Sequence, residues 1–255
     1  MIYEMNQYEK LKELFGDWQE TLIWSCFQNV MGCMFANDKN EPTAAMAMLG
    51  DFCFLAGEPD EELILYKPEY CKKEFIIMIP QNDAWARSIE TCYKEKAKAV
   101  VRYAFKKEPS IFDENVLQSF VAALPNDYTL RAMDEELFYR CKEMEWCRDW
   151  VSQYPDYQTY QRYGIGVIIL KGREILAGAS SYSSYLGGIE IQVDTREDYR
   201  RKGFAQICSA KLILECLKRG WYPSWDAQNK WSANLAKKLG YHYSHTYFAY
   251  EIIGY

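Results

Sequence analysis

Thr195-Arg196-Glu197-Asp198-Tyr199-Arg200-Arg201-Lys202-Gly203-Phe204-Ala205 is the stretch whose reading decides the fold. An alternating run, Gly188-Ile189-Glu190-Ile191-Gln192-Val193-Asp194-Thr195, precedes it, and a helical pattern from Gln206 to Arg219 follows. The spacing predicts a strand, a basic turn with one glycine, and an amphipathic helix. Such a turn exposes consecutive main-chain N–H groups at a helix N-terminus, where unpaired donors and the macrodipole favour an anion. Gly203 removes the Cβ that would hold a phosphate off the backbone, and Arg200, Arg201 and Lys202 add positive charge. The turn reads as a phosphate or pyrophosphate site, with a solvated basic helix entry as the alternative.

Outward from this turn the pattern is regular. Downstream, Gly220 is a natural helix terminator, Trp221–Ala227 reads as a strand, Asn229 opens a short helix ended by Gly240, and Tyr241–Ile252 is an aromatic strand. Upstream, Tyr128–Met133 is a candidate strand, and Asp134 caps a long helix through Leu137, Cys141, Met144 and Trp150. Gly164–Leu170 and Glu174–Tyr185 form a hairpin about Lys171-Gly172-Arg173. The predicted order is β–α–β–β–β–α–β–α–β.

The first half carries helical spacing from Tyr8 to Phe27, broken near Gly16-Asp17, and then a hairpin with an Asn/Asp-rich turn at residues 37–40. Strands follow at Asp51–Gly57, Glu74–Pro80 and Val100–Phe105, with a helix through Trp85, Ile89, Tyr93 and Ala97. Residues 111–123 read as the connection between halves, which places the domains at 1–123 and 124–255.

With 255 residues, 49% apolar and 26% charged, the chain has an ordinary globular composition, sufficient for two modest domains or one large one. No apolar run approaches a membrane span and the N-terminus lacks a signal-peptide pattern, so a cytoplasmic protein without membrane association is expected. Nine cysteines without a C-x-x-C pair read as reduced core thiols. A net charge of −6 argues against general nucleic-acid binding and suits a cationic, amine-bearing substrate.

Arg200-x-x-Gly203-x-Ala205 resembles the Q/R-x-x-G-x-G/A acetyl-CoA motif of the GNAT superfamily of acetyltransferases. Asn229-x-x-Ser232-Ala233-x-x-Ala236-Lys237-Lys238-Leu239-Gly240-Tyr241 is similar to that family's second motif. Tyr222-Pro223-Ser224-Trp225-Asp226-Ala227-x-Asn229 also resembles a bacterial subgroup, the zwittermicin-resistance-like acetyltransferases. The resemblance covers roughly residues 124–255 and extends weakly into 31–57. It implies an α+β fold, with a mixed, mostly antiparallel central sheet flanked by helices. It also implies a splayed strand pair whose gap receives the pantetheine arm of acetyl-CoA. Val193, Asp194 and Thr195 would meet the pantetheine. Arg200, Arg201, Lys202, Gly203, Phe204, Ala205 and Gln206 would hold the pyrophosphate, with Asn229 and Ser232 as polar contacts. No metal is implied, and a homodimer is compatible with it.

The family transfers acetyl directly to an amine, so the site must hold the nucleophile, take a proton and reprotonate the thiolate. The family's tyrosine seven residues after the motif asparagine is replaced by Ala236, which leaves Tyr241, Tyr243, Tyr247 or water as the acid. Glu190 is the first candidate base, its neighbours Ile189 and Ile191 pointing the other way; a solvent-facing or salt-bridged strand residue is the alternative. Asp226 is the second, with an Asx-turn as its alternative. His242 and His245 fall on opposite faces of a strand and lack partners for zinc.

Residues 75–105 repeat the strand–Asn–helix–strand order of 221–252 without an R-x-x-G-x-A turn. The N-terminal region is therefore expected to be either a degenerate GNAT-like half without cofactor or an unrelated α+β cap. Trp18, Trp24, Trp85 and Trp146 are candidates for a wall of the acceptor cleft. The functional expectation is acetyl-CoA-dependent N-acetylation of a small-molecule primary amine. The alternative is a CoA-binding regulatory or substrate-sequestering module without turnover.

Overall fold

Gly16, in the left-handed region at φ 56°, ends the first helical run and lets the chain restart at Thr21. In the computed structural model, which describes residues 1–6 and 8–255, the chain forms two units. One is Met1–Arg102 with Thr246–Tyr255, and the other is Tyr103–His245. The first carries β1 (Tyr3–Met5), α1 (Glu9–Phe15), α2 (Thr21–Phe27), β2 (Cys33–Ala36), β3 (Ala44–Leu49) and β4 (Phe52–Gly57). It continues with α3 (Glu61–Ile64), β5 (Phe75–Pro80), α4 (Asp83–Tyr93) and most of β6 (Ala97–Phe105), whose last three residues belong to the second unit.

The β2–β3 hairpin has the expected turn. Asn37 Oδ1 accepts from the N–H groups of Thr43 and Ala44, both at 3.1 Å, and Asp38 Oδ1 accepts from Asn40 at 2.7 Å. Neighbouring strands run β1-β2-β3-β4-β5 and then the end of the last strand, β13 (Tyr243–Ile253); only β4 and β5 are parallel. The helix expected to reach Ala97 stops at Tyr93, because Lys94 turns left-handed at φ 50° and frees Ala97 to open β6.

The second unit adds α5 (Glu114–Ala122), β7 (Thr129–Ala132), α6 (Glu135–Glu143), α7 (Tyr157–Tyr163), β8 (Gly166–Lys171) and β9 (Glu174–Tyr185). Then come β10 (Gly188–Thr195), α8 (Phe204–Lys218), β11 (Tyr222–Ser224), β12 (Asp226–Ala227) and α9 (Lys230–Lys238). Its sheet is ordered β11-β10-β9-β8-β7, antiparallel except for β10–β11. Ile207, Leu212 and Ile213 of α8 bury one sheet face together with Val167, Ile169, Ile189 and Ile191.

Three expectations change here. Residues 111–123 hold a helix rather than a connection: Asp113 caps α5 by accepting from Asn115 and Val116, and Leu117 packs into the α8 core. That packing puts α5 with the second unit, so the division falls at 102/103 rather than 123/124, while Thr246–Tyr255 joins the first unit beside β5. The long helix expected through Trp150 breaks where Met144 turns extended (ψ 116°), followed by a 3-10 segment Glu145–Trp150. The break lets the fully buried Trp150 lie on the sheet. A Cβ on Gly178 would come within 2.7 Å of its ring, so only glycine fits there. The helix α7 was absent from the expected order. With it, residues 3–105 and residues 129–253 each read β–α–α–β–β–β–α–β–α–β, the second counting β11 and β12 as one strand.

Candidate active site

β10 pairs with β9 from Gly188 to Thr195, with a bulge between Glu190 and Ile191. On its other edge it pairs with β11 only from Gly188↔Tyr222 to Glu190↔Ser224. The strand expected over 221–227 then divides. Trp225 turns into the core, 5.6 Å from the Tyr241 ring, and Asp226–Ala227 pair with Ala104 and Tyr103 of β6 instead. A bulge bends a strand and increases its twist, so β10 leaves β11 as a wedge whose apex is Glu190 and Ser224.

At the wide end the chain enters the basic turn. Arg201 (φ 63°) and Gly203 (φ 81°) are both left-handed. A non-glycine residue in that region costs roughly 1 kcal/mol or more, strain that persists where the surroundings impose it. A Cβ on Gly203 would meet nothing within 4 Å, so protein packing does not require the glycine; its φ and the open space beside it do. α8 begins at Phe204 with no side-chain cap, whereas α3, α4, α5, α6, α7 and α9 are capped by Asp60, Asn82, Asp113, Asp134, Asp156 and Asn229. The first helical bond runs from Ile207 to Gly203 at 3.1 Å. The N–H groups of Phe204, Ala205 and Gln206 thus point at no acceptor among the described residues.

A cleft of about 1030 Å³ lies between this turn, the end of β10 and α9. The expected Val193, Asp194, Thr195, Arg200 and Arg201 line it, as do Gly203, Phe204, Ala205, Gln206, Asn229 and Ser232. Lys202 stands outside that lining, its ammonium 4.4 Å from the Tyr199 ring centre. Thr195 Oγ1 is buried and has no hydrogen-bond partner, leaving a polar atom on the cleft wall for a ligand. Arg200 Nε donates to Thr195 O at 3.3 Å. Asp194 Oδ2 accepts from Gln192 Nε2 at 2.8 Å and from Trp150 Nε1 at 3.2 Å; burial nevertheless raises its pKa, outweighing those bonds and Arg200. Asn229 Oδ1 accepts from Ser232 N at 2.9 Å, and Ser232 Oγ accepts from the buried Trp225 indole at 3.1 Å. Ser232 therefore keeps its own hydrogen for a cleft acceptor.

Glu190 is 7% exposed at the wedge apex, opposite Ser183 on β9 and Ser224 on β11. Ile189 and Ile191 are in the α8 core, as expected. Its charge reaches three tyrosines. Burial is the main cause of the raised pKa of Tyr185, Tyr222 (to about 12) and Tyr241, and Glu190 adds to each. The Tyr241 hydroxyl is committed, donating to Pro223 O at 2.6 Å inside the core. Asp226 is half-buried on β12 and does not line the cleft. Tyr247 is half-buried in the first unit, and Ala236 is fully buried. The two histidines are exposed: His242 Nδ1 meets Glu108 Oε2 at 2.9 Å and His245 Nδ1 meets Ser244 Oγ at 3.0 Å. All nine cysteines are free thiols.

Of the tryptophans expected at an acceptor wall, Trp85 is sealed in the first unit's core and donates to Gly57 O at 2.8 Å. Trp18 and Trp24 line a cavity of about 280 Å³ within that unit, and Trp146 packs edge-on against Trp150 at 5.2 Å. Sequence reasoning missed Gln228, Trp231, Asn234, Leu235 and Lys238 on the cleft wall. The signal was available: 231, 234, 235 and 238 form one helical stripe, but its mixed polarity does not register as an apolar face.

A family model described as GNAT acetyltransferase matches residues 12–250. An uncharacterized N-acetyltransferase, YdfB, of Bacillus subtilis (strain 168) is 23% identical over 250 residues, covering 92% of each chain. The crystal structure of a GCN5-related N-acetyltransferase-like protein from Streptococcus suis 89/1591 is 44% identical, with a TM-score of 0.90 over 95% of this chain and 97% of that one. A tandem GNAT protein from the clavulanic acid biosynthesis pathway shares the fold at 9% identity, with a TM-score of 0.50 over 100% of this chain and 99% of that one. With the family match running through the wedge, the turn and α9, this chain belongs to the GNAT acetyltransferase family and is an N-acetyltransferase.

Proposed function

We propose that the protein transfers the acetyl group of acetyl-CoA to a primary amine of a small molecule. The observation that carries this is the uncapped N-terminus of α8, with its left-handed Gly203, opening onto the cleft. The residues present fit the co-substrate. The free N–H groups of residues 204–206, with Arg200 and Arg201, form an anion cradle for a diphosphate. The edge of β10 beyond Glu190 offers main-chain donors and acceptors to an amide-bearing arm. Thr195 Oγ1 and the Ser232 hydroxyl supply further polar contacts.

Acetyl-CoA, when bound, supplies a thioester carbonyl that a neutral amine attacks directly, with release of the thiol. Glu190, at the wedge apex, takes the proton from the attacking nitrogen, directly or through one water. Main-chain N–H groups on the unpaired edge of β10 just past the bulge stabilise the developing oxyanion. Tyr241 is no proton donor because its hydroxyl is bound to Pro223 O. Water admitted by the cleft supplies that proton, and Asp226 serves the backbone where β12 joins β6.

The second reading, a CoA-binding module without turnover, draws support from the burial of Ala236 and the commitment of Tyr241. Isothermal titration with CoA, followed by thiol release from acetyl-CoA across a panel of amines, separates the two. Release with at least one amine supports the enzyme. Tight CoA binding without release for any amine supports the module. Absence of CoA binding removes both. The zwittermicin-resistance-like subgroup rests on residues 222–229 and would be supported by an aminated antibiotic among the active amines.

The first unit is, on this proposal, a GNAT-like half that has lost its cofactor cleft. Its element order and parallel β4–β5 pair support that descent. Four consecutive pairs, Phe52↔Ile77 to Leu55↔Pro80, keep its strands zipped where β10 and β11 part.

A further inference from the structure

Trp231 is 83% exposed, the most exposed large apolar side chain among the described residues, and it stands on the cleft wall. Its position follows from how α9 is turned. Asn229 caps the helix, Ala233 and Ala236 face the core, and Trp231, Asn234, Leu235 and Lys238 lie on the cleft side at i, i+3, i+4 and i+7. Such a stripe normally buries its aromatic residue, since removing a large apolar side chain from water is favourable in proportion to the area covered. Here the ring is left to solvent beside a cleft whose other wall is the diphosphate cradle, with Lys230 next to it and Lys238 two turns along.

Resting on the co-substrate reading above, we propose that Trp231 is the platform on which the purine base of the nucleotide end of CoA stacks, with Lys238 meeting the phosphate on its ribose. The chemistry favours this occupant. Every base presents a π-face that an exposed indole can cover, and no hydrogen-bond code is needed. Trp231 and Lys238 are separated by seven residues of helix, about 10 Å along the axis, a span one nucleotide bridges from base to phosphate. The diphosphate anchored at residues 204–206 divides the ligand: the pantetheine arm runs into the wedge, and the nucleoside is left on the α9 side. Asn234, between the two, offers an amide to the ribose or the base edge.

The test is titration calorimetry with CoA, dephospho-CoA (no ribose phosphate) and 4′-phosphopantetheine (no nucleoside), on wild type, Trp231→Ala and Lys238→Met. Trp231→Ala should weaken CoA and dephospho-CoA alike by about five- to 150-fold, the scale of one base stacked on an aromatic ring, and leave 4′-phosphopantetheine unchanged. Lys238→Met should weaken CoA by roughly three- to tenfold, with dephospho-CoA unchanged and the effect fading at high salt. Equal CoA affinity in wild type and Trp231→Ala, or an equal loss for all three ligands, overturns the stacking assignment while the co-substrate reading stands. A wild type that binds none of the three removes that reading instead. Both side chains are exposed, so the melting temperatures of the variants should lie within about 2 °C of wild type.

Discussion

Replacing Gly203 by alanine adds one methyl group at the centre of the proposed diphosphate cradle, and the structure separates its two consequences. The first is conformational. Gly203 holds φ 81° and ψ 1°, and an L-residue in the left-handed region costs about 1–2 kcal/mol. No steric penalty adds to this, because the new Cβ has no heavy atom within 4 Å. For a chain of this length, the melting temperature should fall by roughly 2–8 °C. The second consequence appears only with ligand. The methyl group occupies the open space through which a phosphate reaches the N–H groups of Phe204, Ala205 and Gln206. Losing two charge-assisted hydrogen bonds of about 1.5–3 kcal/mol each weakens CoA by roughly 10²- to 10⁴-fold. Calorimetry against CoA and against pantetheine, which has no phosphate, measures this directly. Pantetheine should bind the variant and wild type alike. If the variant melts lower but binds CoA with unchanged affinity, the diphosphate does not rest on this turn and the cradle is wrong.

Three further outcomes follow from the same geometry. Glu190→Gln should leave CoA affinity intact and lower kcat by about 10²–10⁴-fold, with loss of the ascending, low-pH limb of the rate–pH profile; an unchanged rate at every pH removes Glu190 as the base. Asp194→Asn should raise the melting temperature at pH 7. The folded pKa of Asp194 lies above its ordinary 3.8, so its charge opposes folding at high pH, and the penalty is relieved as pH falls through the raised value. The gain should therefore shrink to nothing towards pH 4, and a variant melting lower than wild type at pH 7 contradicts the assignment. Tyr241→Phe should cost about 1–3 kcal/mol in denaturant titrations, because Pro223 O loses its buried donor, while kcat stays within twofold. A large fall in kcat with normal stability would identify Tyr241 as the proton donor after all.

The legible parts of this site are those whose cause is local. Gly203 directly after three basic residues, Asn229 three residues before Ser232 and the alternation of 188–195 each act through bonds spanning a few residues, and each appears where its sequence places it. What escaped depends on distant partners. Nothing within Tyr222–Ala227 announces that its last two residues will leave β10 for Ala104 and Tyr103, yet that exchange opens the wedge. Residues 111–123 hid a helix because Leu117 alone is fully buried, too weak a stripe to read. The break at Met144 was hidden for a related reason. The apolar spacing of Leu137, Cys141, Met144 and Trp150 suits a continuous helix, and only the seat of Trp150 over Gly178 requires the chain to turn. Trp231 was passed over because its stripe mixes an indole with an amide and an ammonium, the polarity a nucleotide needs and a core rejects.

The first unit shows why an order of elements does not by itself make an acetyl-CoA site. There β4 ends at Gly57, the position at which a basic turn and a long helix would be needed. Asp60, Glu61 and Glu62 stand instead, and α3 spans only four residues with its own aspartate cap. An acidic, capped, one-turn helix repels a phosphate and has too few aligned dipoles to hold one. The gap between the strands is closed as well. Gln81 N donates to Leu55 O at 3.0 Å, its side-chain Oε1 accepts from Gly57 N at 3.0 Å, and the Trp85 indole takes Gly57 O. Those three bonds consume the main-chain groups that an added pantetheine would have to pair with. In the second unit the equivalent groups stay open because β12 is drawn to β6, so the proposed seat of the thioester rests on a strand exchange that the first unit's β5 never makes.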